Sequence, residues 1–104
     1  MIQAMLQIKF NDYDEPKIEL GEDYKLLRLF LQDDLPGLES CNFYLEACAA
    51  AASGIEQDLS GNSCGVSITS EGVTIEHMFM DDLPVTVVAL EDFSRLIEWK
   101  RRSV

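Results

Sequence analysis

The stretch Cys64–Met80, "CGVSITSEGVTIEHMFM", decides the fold of this chain. Apolar residues alternate with polar ones on both sides of a predicted turn at Glu71-Gly72, and they are Val66, Ile68, Val73 and Ile75. Alternation with a period of two residues is typical of strands that bury one face. The sequence therefore predicts an antiparallel hairpin whose apolar face points into a core.

The residues that follow this hairpin extend the same pattern into a third strand and a helix. "VTVVAL" (85–90) is rich in β-branched residues, which favour strands. "EDFSRLIEWKRR" (91–102) carries an apolar face of Phe93, Leu96 and Ile97. Its acids come first and its bases come last, as the helix dipole favours. We expect a strand and a C-terminal helix.

Two further helices are predicted before the hairpin. "GEDYKLLRLFLQ" (21–32) places its apolar residues at helical spacing, although its leucines also alternate and leave a strand open. "LESCNFYLEACAAAASG" (38–54) has a stripe at steps of three and four residues and a glycine suited to the C-cap, Gly54. The stripe comprises Leu38, Cys41, Leu45, Cys48 and Ala52. "IEQDLSGNS" (55–63) is predicted to be a loop.

The N-terminal residues predict a first hairpin. "IQAMLQIKF" (2–10) alternates strictly, "NDYDEP" supplies turn residues, and "KIEL" (17–20) resumes the alternation. The predicted order is β-β-α-α-β-β-β-α. This order indicates an α+β fold in which an antiparallel sheet of about five strands packs with two to three helices. The length of 104 residues fits a single domain, 1–104.

The four residues "DDLP" occur twice, at Asp33–Pro36 and Asp81–Pro84. The sequences that flank the two copies do not align, so they are no internal repeat. We expect the first copy to join two helices, with the break at Leu35 and with Pro36 in the first turn of the second helix. We expect the second copy to join two strands, with Pro84 at a strand start.

The charge balance is strongly acidic. The chain has 19 acids, 8 bases and a formal net charge of −11, and four of the bases (Arg95, Lys100, Arg101, Arg102) lie in the last ten residues. Such a field repels nucleic acids and anionic membranes and attracts basic proteins. The alternative is that the acids only keep the protein soluble. With no apolar membrane span, no signal-peptide pattern and an odd number of cysteines, we expect a cytoplasmic protein.

No pattern of catalytic or metal-binding residues stands out. The one histidine, His77, falls on the apolar side of a predicted strand, and no nucleophile motif accompanies it. Cys41 and Cys48 are two helical turns apart, which suits neither a disulfide nor zinc. We predict no catalytic residue, no cofactor and no metal. The alternative is a small enzyme or ligand-binding domain with a pocket near His77.

A surface for a protein partner is predicted around the hairpin and its exit. The predicted partner-binding residues are Glu71, Glu76, Met78, Met80, Asp81 and Asp82, while Phe79 shares the face of His77. Carboxylates around flexible methionines suit a basic protein partner. The alternative is that both methionines pack in the core and that the acids lie in solvated turns.

The second half of the chain, from "SGNSCGVSITSEGVTIEHMF" to "DFSRLIEWKRR", resembles small immunity proteins of bacterial contact-dependent growth inhibition. The similarity lies in the "GN" loop, two V-x-I strands and the terminal helix. It implies a cytosolic inhibitor that binds a toxin domain, commonly a basic nuclease, and masks its active site. A third possibility is a scaffold whose basic C-terminal helix recruits an acidic partner. The oligomeric state is left open.

Overall fold

The computed structural model describes residues 5–18 and 24–104. In chain order the elements are β1 (Lys9–Phe10), β2 (Pro16–Lys17), α1 (Lys25–Asp33), α2 (Leu38–Ala52), β3 (Gln57–Ser60), β4 (Cys64–Thr69), β5 (Gly72–His77), β6 (Thr86–Val88) and α3 (Leu90–Arg102). Helices packed with antiparallel strands confirm the predicted α+β class.

The predicted hairpin at the centre of the fold is confirmed. β4 and β5 pair antiparallel, with Val66 opposite Ile75 and Ile68 opposite Val73. Because Thr69 pairs with Gly72, the two turn residues are Ser70 and Glu71, one position earlier than predicted. The Thr69 hydroxyl fixes this turn, since it accepts from the Glu71 N–H and donates to the Gly72 carbonyl.

The strands form two sheets instead of the one predicted. β3, β4, β5 and β6 lie side by side in that order, and β1 and β2 form a separate two-stranded ribbon. β3 pairs along its whole length with β4, so the prediction of a loop at 55–63 is wrong for Gln57–Ser60. The predicted strand 2–10 is a strand only at Lys9–Phe10, although the Leu6 N–H donates to the Val87 carbonyl beside β6.

Parts of three predictions lie outside the described residues. They are the start of the N-terminal strand (residues 2–4), the end of "KIEL" (residues 19–20) and the acidic start of the first helix (residues 21–23).

The three helices fill one side of the four-stranded sheet. The helical interpretation of "GEDYKLLRLFLQ" is confirmed by α1, which buries Leu26, Leu27, Phe30 and Leu31. α3 buries the predicted Phe93, Leu96 and Ile97. The predicted stripe of α2 is partly wrong, because Leu38 and Ala52 are exposed and the helix buries Cys41, Tyr44, Ala47, Cys48 and Ala51.

Both ends of α2 follow simple backbone rules. At its start Gly37 is the N-cap, so Pro36 lies before the helix and not in its first turn as predicted. The Ser40 hydroxyl donates to the Gly37 carbonyl there. At its end Gly54 adopts a φ of +98°, a conformation that suits glycine, and confirms the predicted C-terminal glycine. The prediction that Pro84 lies at a strand start is also wrong, because β6 begins at Thr86.

The two faces of the four-stranded sheet differ in what covers them. α1 and α3 contact β5, and α2 contacts β3 and β4. The strand side chains that face these helices are buried, and they are Cys64, Val66, Ile68, Val73, Ile75, Thr86 and Val88. Among the described residues, no helix covers the opposite face. We call this opposite face, with its side chains Asp58, Ser60, Ser67, Thr74 and Glu76, the open sheet face.

Candidate partner-binding surface

The chain leaves β5 through a short exposed segment, Met78–Asp82, which we call the acidic turn. Phe79 is 74% exposed, Met78 and Met80 are 38% and 39% exposed, and Asp81 and Asp82 are exposed. Of the two alternatives for the methionines, packing in the core is therefore wrong. The acidic turn therefore exposes an aromatic ring, two thioethers and two carboxylates within five consecutive residues.

The acidic turn continues into the open sheet face. Both Glu76 and Met78 lie beside Gly65 of the neighbouring strand: a Cβ added at Gly65 would be in van der Waals contact with the Glu76 Cγ at 3.9 Å and with the Met78 Cγ at 4.0 Å. A carboxylate and a thioether meet at the junction between the two surfaces.

The open sheet face is rich in hydrogen-bond acceptors. Its side chains include the hydroxyls of Ser60, Ser67 and Thr74 between two carboxylates, Asp58 and Glu76. They line a shallow depression of about 310 Å³. Carboxylates and hydroxyls accept hydrogen bonds from the side chains of lysine and arginine. This face is suited to a basic protein surface.

The structure does not bring all six predicted partner-binding residues together. Glu76, Met78, Met80, Asp81 and Asp82 lie at one end of β5, but Glu71 lies at the other end, in the turn before Gly72. At about 3.3 Å per residue, the six positions from 71 to 77 correspond to ~20 Å. The predicted clustering is therefore wrong for Glu71.

Two residues of this surface are not among the six predicted partner-binding residues. Phe79 was placed on the face of His77 and Val73 by continuing the alternation of β5, but the strand ends at His77. Asp58 was placed in a loop, whereas β3 brings it onto the open sheet face opposite Ser67. The turn residues "DDLP" after Met80 were the signal that the strand pattern could not continue to Phe79.

His77 fixes the start of the acidic turn. Its Nδ1 accepts hydrogen bonds from the backbone N–H groups of Phe79 and Met80, both at 3.1 Å. The Met78 N–H donates to the Ser63 carbonyl, just beyond the end of the paired strands β4 and β5. The His77 and Phe79 rings contact edge to face, with centroids 6.1 Å apart. The side chain of His77 thus holds the backbone around the exposed Phe79.

The three cysteines are buried thiols. Burial raises the pKa of Cys41 and of Cys48. Burial, together with the negative charge of Asp34, raises the pKa of Cys64 to about 12. Since the thiolate is the nucleophilic form, none of the three is activated for chemistry at neutral pH.

Residues 5–18 and 24–104 contain neither a cluster of metal-binding side chains nor a membrane-spanning helix. No three of the His, Cys, Asp and Glu side chains there lie together in a way that could hold a metal ion. No helix in this part of the chain is long and apolar enough to cross a membrane.

The first "DDLP" copy has a structural position. Asp34 is only 4% exposed, and its two carboxylate oxygens accept the N–H groups of Ser63 and Cys64 at 2.8 and 2.9 Å. The neighbouring Asp33 accepts the Ser63 hydroxyl. The two acids thus fasten the end of α1 to the loop before β4. The identical residues Asp81 and Asp82 face solvent instead.

Three of the four C-terminal bases form hydrogen bonds with residues of the part of the chain that the structure describes. Arg95 pairs with Asp14 at 2.8 Å and lies 4.1 Å from the centre of the Phe10 ring. Arg102 donates to the Asp14 carbonyl, and Arg101 donates to the Asn42 side chain. These contacts attach the β1–β2 ribbon and α2 to α3. They give the basic residues of α3 a structural role within the fold, and this role needs no acidic protein partner.

A second exposed apolar patch lies on the helical layer, at the start of α2. Leu38 and Phe43 are more than half exposed there and border a groove of about 1010 Å³ together with Glu39 and Glu46. This groove is larger than the depression on the open sheet face, but it has two carboxylates. The open sheet face and the acidic turn together carry four, Asp58, Glu76, Asp81 and Asp82, and we favour that surface for a basic partner.

No protein-family model, curated protein or solved structure matches this chain. The resemblance to immunity proteins therefore stays a prediction. A function has to be inferred from the residues of this chain and their geometry.

Proposed function

We propose that this protein is a non-enzymatic cytoplasmic immunity protein. It binds a basic toxin domain, of the nuclease type that the resemblance implies, and neutralises it by covering its active site. The contact surface is the acidic turn together with the adjoining half of the open sheet face. No catalytic residue, cofactor or metal takes part.

The observation that carries this proposal is the setting of Phe79. The ring is 74% exposed, yet the backbone on either side of it is held by hydrogen bonds to His77 and Ser63. An aromatic side chain at the centre of a contact, flanked by polar groups, is a common source of binding energy. A fixed backbone reduces the entropy lost on binding. Phe79 is therefore the proposed anchor.

The charge of the protein supports a basic partner. Nucleases need a positively charged groove to hold the phosphate backbone of their substrate. A chain with a net charge of −11 attracts such a groove over a distance and associates rapidly at low salt. A contact of ordinary size covers about 800 Å² on each partner, which is a small part of the 6431 Å² surface of the described molecule.

The proposal is tested by charge reversal with a matched control. The partner is the basic domain encoded next to this chain's gene, and its affinity is measured by calorimetry at several salt concentrations. The test variant carries Asp81→Lys and Asp82→Lys in the acidic turn. The control carries Glu39→Lys and Glu46→Lys on α2, so that both variants have the same net charge.

The two variants separate local contact from long-range attraction. Exposed ion pairs contribute about 0.2–1 kcal/mol each, and reversal replaces attraction by repulsion, so the test variant should bind more than tenfold more weakly. The control should lose much less affinity. If the control loses more, the contact lies on α2. If wild type binds no basic neighbour even at low salt, the proposed function is wrong.

A further inference from the structure

The acidic turn depends on one side-chain nitrogen. The Nδ1 of His77 accepts two backbone hydrogen bonds at once, from Phe79 and Met80, both at 3.1 Å. A ring nitrogen accepts hydrogen bonds only when it carries no proton. The geometry therefore requires a neutral imidazole with its proton on Nε2.

The turn between β1 and β2 has a similar arrangement of hydrogen bonds, but the accepting side chain there is an asparagine. In the turn between β1 and β2, the side-chain oxygen of Asn11 accepts the backbone N–H groups of Tyr13 and Glu15, both at 2.9 Å. An amide oxygen is the ordinary acceptor for such a turn, and it does not titrate. In asparagine this oxygen lies as many bonds from Cα as Nδ1 does in histidine. His77 therefore performs a task that asparagine performs elsewhere in the molecule, and it adds sensitivity to pH.

We propose that His77 is a positioning residue of the partner-binding surface and that its protonation releases the acidic turn. This inference rests on the proposed function, because it concerns the same surface. A proton on Nδ1 leaves the Phe79 and Met80 N–H groups without their acceptor. The backbone around Phe79 is then no longer held in one conformation, and the partner has to order it on binding.

The direction of the pH effect follows from the hydrogen bonds. Histidine side chains ordinarily take up a proton between about pH 8 and pH 5. A neutral imidazole accepts both bonds through Nδ1, whereas an imidazolium carries a proton there and accepts neither. Affinity for a basic partner therefore falls on acidification. The added positive charge at the surface acts in the same direction.

The neighbours of His77 come from three parts of the fold. β4 contributes Cys64, which lies opposite His77 and whose thiol stays protonated because its pKa is raised to about 12. The C-terminal end of α1 contributes the carboxylates of Asp33 and Asp34, which bond to Ser63 and Cys64. Its own segment contributes Glu76, Asp81 and Asp82.

The first experiment uses the free protein and needs no partner. Nitrogen-15 NMR of the His77 ring should show the Nε2–H tautomer near neutral pH. The Phe79 and Met80 amide signals should shift together with the imidazole titration, and their protection factors against hydrogen exchange should fall below its midpoint. A proton on Nδ1 near neutral pH would overturn the inference whether or not the protein binds a toxin.

The second experiment compares two substitutions in binding to the basic neighbour domain. His77→Asn restores a non-titrating acceptor, and His77→Phe keeps a ring beside Phe79 without an acceptor. From about pH 7.5 to pH 5.5 the wild type should lose about tenfold in affinity, the effect of two backbone hydrogen bonds. His77→Asn should rescue binding and show no such loss. Because the partner titrates as well, the Asn series provides the baseline.

The Phe variant separates positioning from simple repulsion. If His77 positions the turn, His77→Phe binds about tenfold more weakly than wild type near neutral pH, where no histidine charge is involved. If only the added charge mattered, His77→Phe would bind as tightly as wild type, and the positioning role would be refuted. If His77 shows the expected tautomer and the expected amide shifts, but the protein binds no basic domain, only the proposed function is refuted.

Discussion

Asp34 gives the sharpest test of how the fold holds together. Its carboxylate is 4% exposed and accepts the N–H groups of Ser63 and Cys64 at 2.8 and 2.9 Å. The two bonds join the end of α1 to the start of β4, elements about thirty residues apart. Replacing Asp34 by Asn keeps one acceptor oxygen but places an NH₂ group against the second backbone N–H.

The expected loss follows from these two bonds. A hydrogen bond to a charged group contributes about 1.5–3 kcal/mol, and a buried N–H left without an acceptor costs about as much. With one bond lost and the other weakened, Asp34→Asn should lower the free energy of unfolding by ~2–4 kcal/mol. This is a large share of the 5–15 kcal/mol that stabilises an ordinary domain. At about 4–8 °C for each kcal/mol, Tm should fall by at least ~8 °C.

Urea unfolding at neutral pH, followed by circular dichroism, measures this loss. The second "DDLP" copy provides the matched controls, because Asp81→Asn and Asp82→Asn make the same chemical change at exposed positions. The controls should stay within ~0.5 kcal/mol of wild type. If Asp34→Asn is as stable as the controls, the conclusion that the two hydrogen bonds of the buried Asp34 carboxylate stabilise the fold is refuted.

Three further predictions concern residues near the Asp34 carboxylate. Gly61→Ala should lower the free energy of unfolding by ~1–3 kcal/mol in urea titrations, because its Cβ would lie 2.7 Å from the Asp34 Cγ; no change would show that the loop moves aside freely. The buried Tyr44 hydroxyl has no hydrogen-bond partner among the described residues, so Tyr44→Phe should unfold at an equal or higher urea concentration, and a marked loss would reveal a hidden bond. Since the pKa of Cys64 is about 12, native protein near pH 8 should resist iodoacetamide at this thiol in mass spectrometry, whereas urea-unfolded protein should react.

The sequence predicted the elements that bury side chains at a clear period. The hairpin of β4 and β5 followed from the alternation of Val66, Ile68, Val73 and Ile75, and α3 followed from Phe93, Leu96 and Ile97. In each case one face is fully buried, so the hydrophobic pattern records the geometry directly. Local spacing was sufficient to place these residues.

β3 was missed because its stability does not come from its own side chains. "QDLS" contains one apolar residue, Leu59, and reads as a loop. Its backbone pairs with β4 along all four residues, and this pairing also brings Asp58 to the open sheet face. A strand that is held by a neighbour's N–H and C=O groups leaves little trace in its own sequence.

The surface was predicted less well than the core, for a related reason. Continuing the alternation past His77 placed Phe79 with the buried residues, but the imidazole accepts the Phe79 and Met80 N–H groups and turns the chain outward. Sequence proximity likewise grouped Glu71 with Glu76, although a strand of six residues separates the two ends. The hydrogen bonds to His77 explain why Phe79 is exposed, and the length of β5 explains why Glu71 lies apart from Glu76.

The two "DDLP" copies show why counting acids does not locate a binding site. Both are connections between elements, and no local feature of the four residues distinguishes them. They differ in their contacts with a loop about thirty residues away, because the N–H groups of Ser63 and Cys64 donate to the Asp34 carboxylate. Among the described residues, no such backbone N–H groups donate to Asp81 or Asp82, which are exposed. Three of the C-terminal bases are likewise engaged with the β1–β2 ribbon and α2. The first acidic pair therefore stabilises the fold, whereas the second pair lies in solvent, close in sequence to the exposed Phe79 ring after the end of β5.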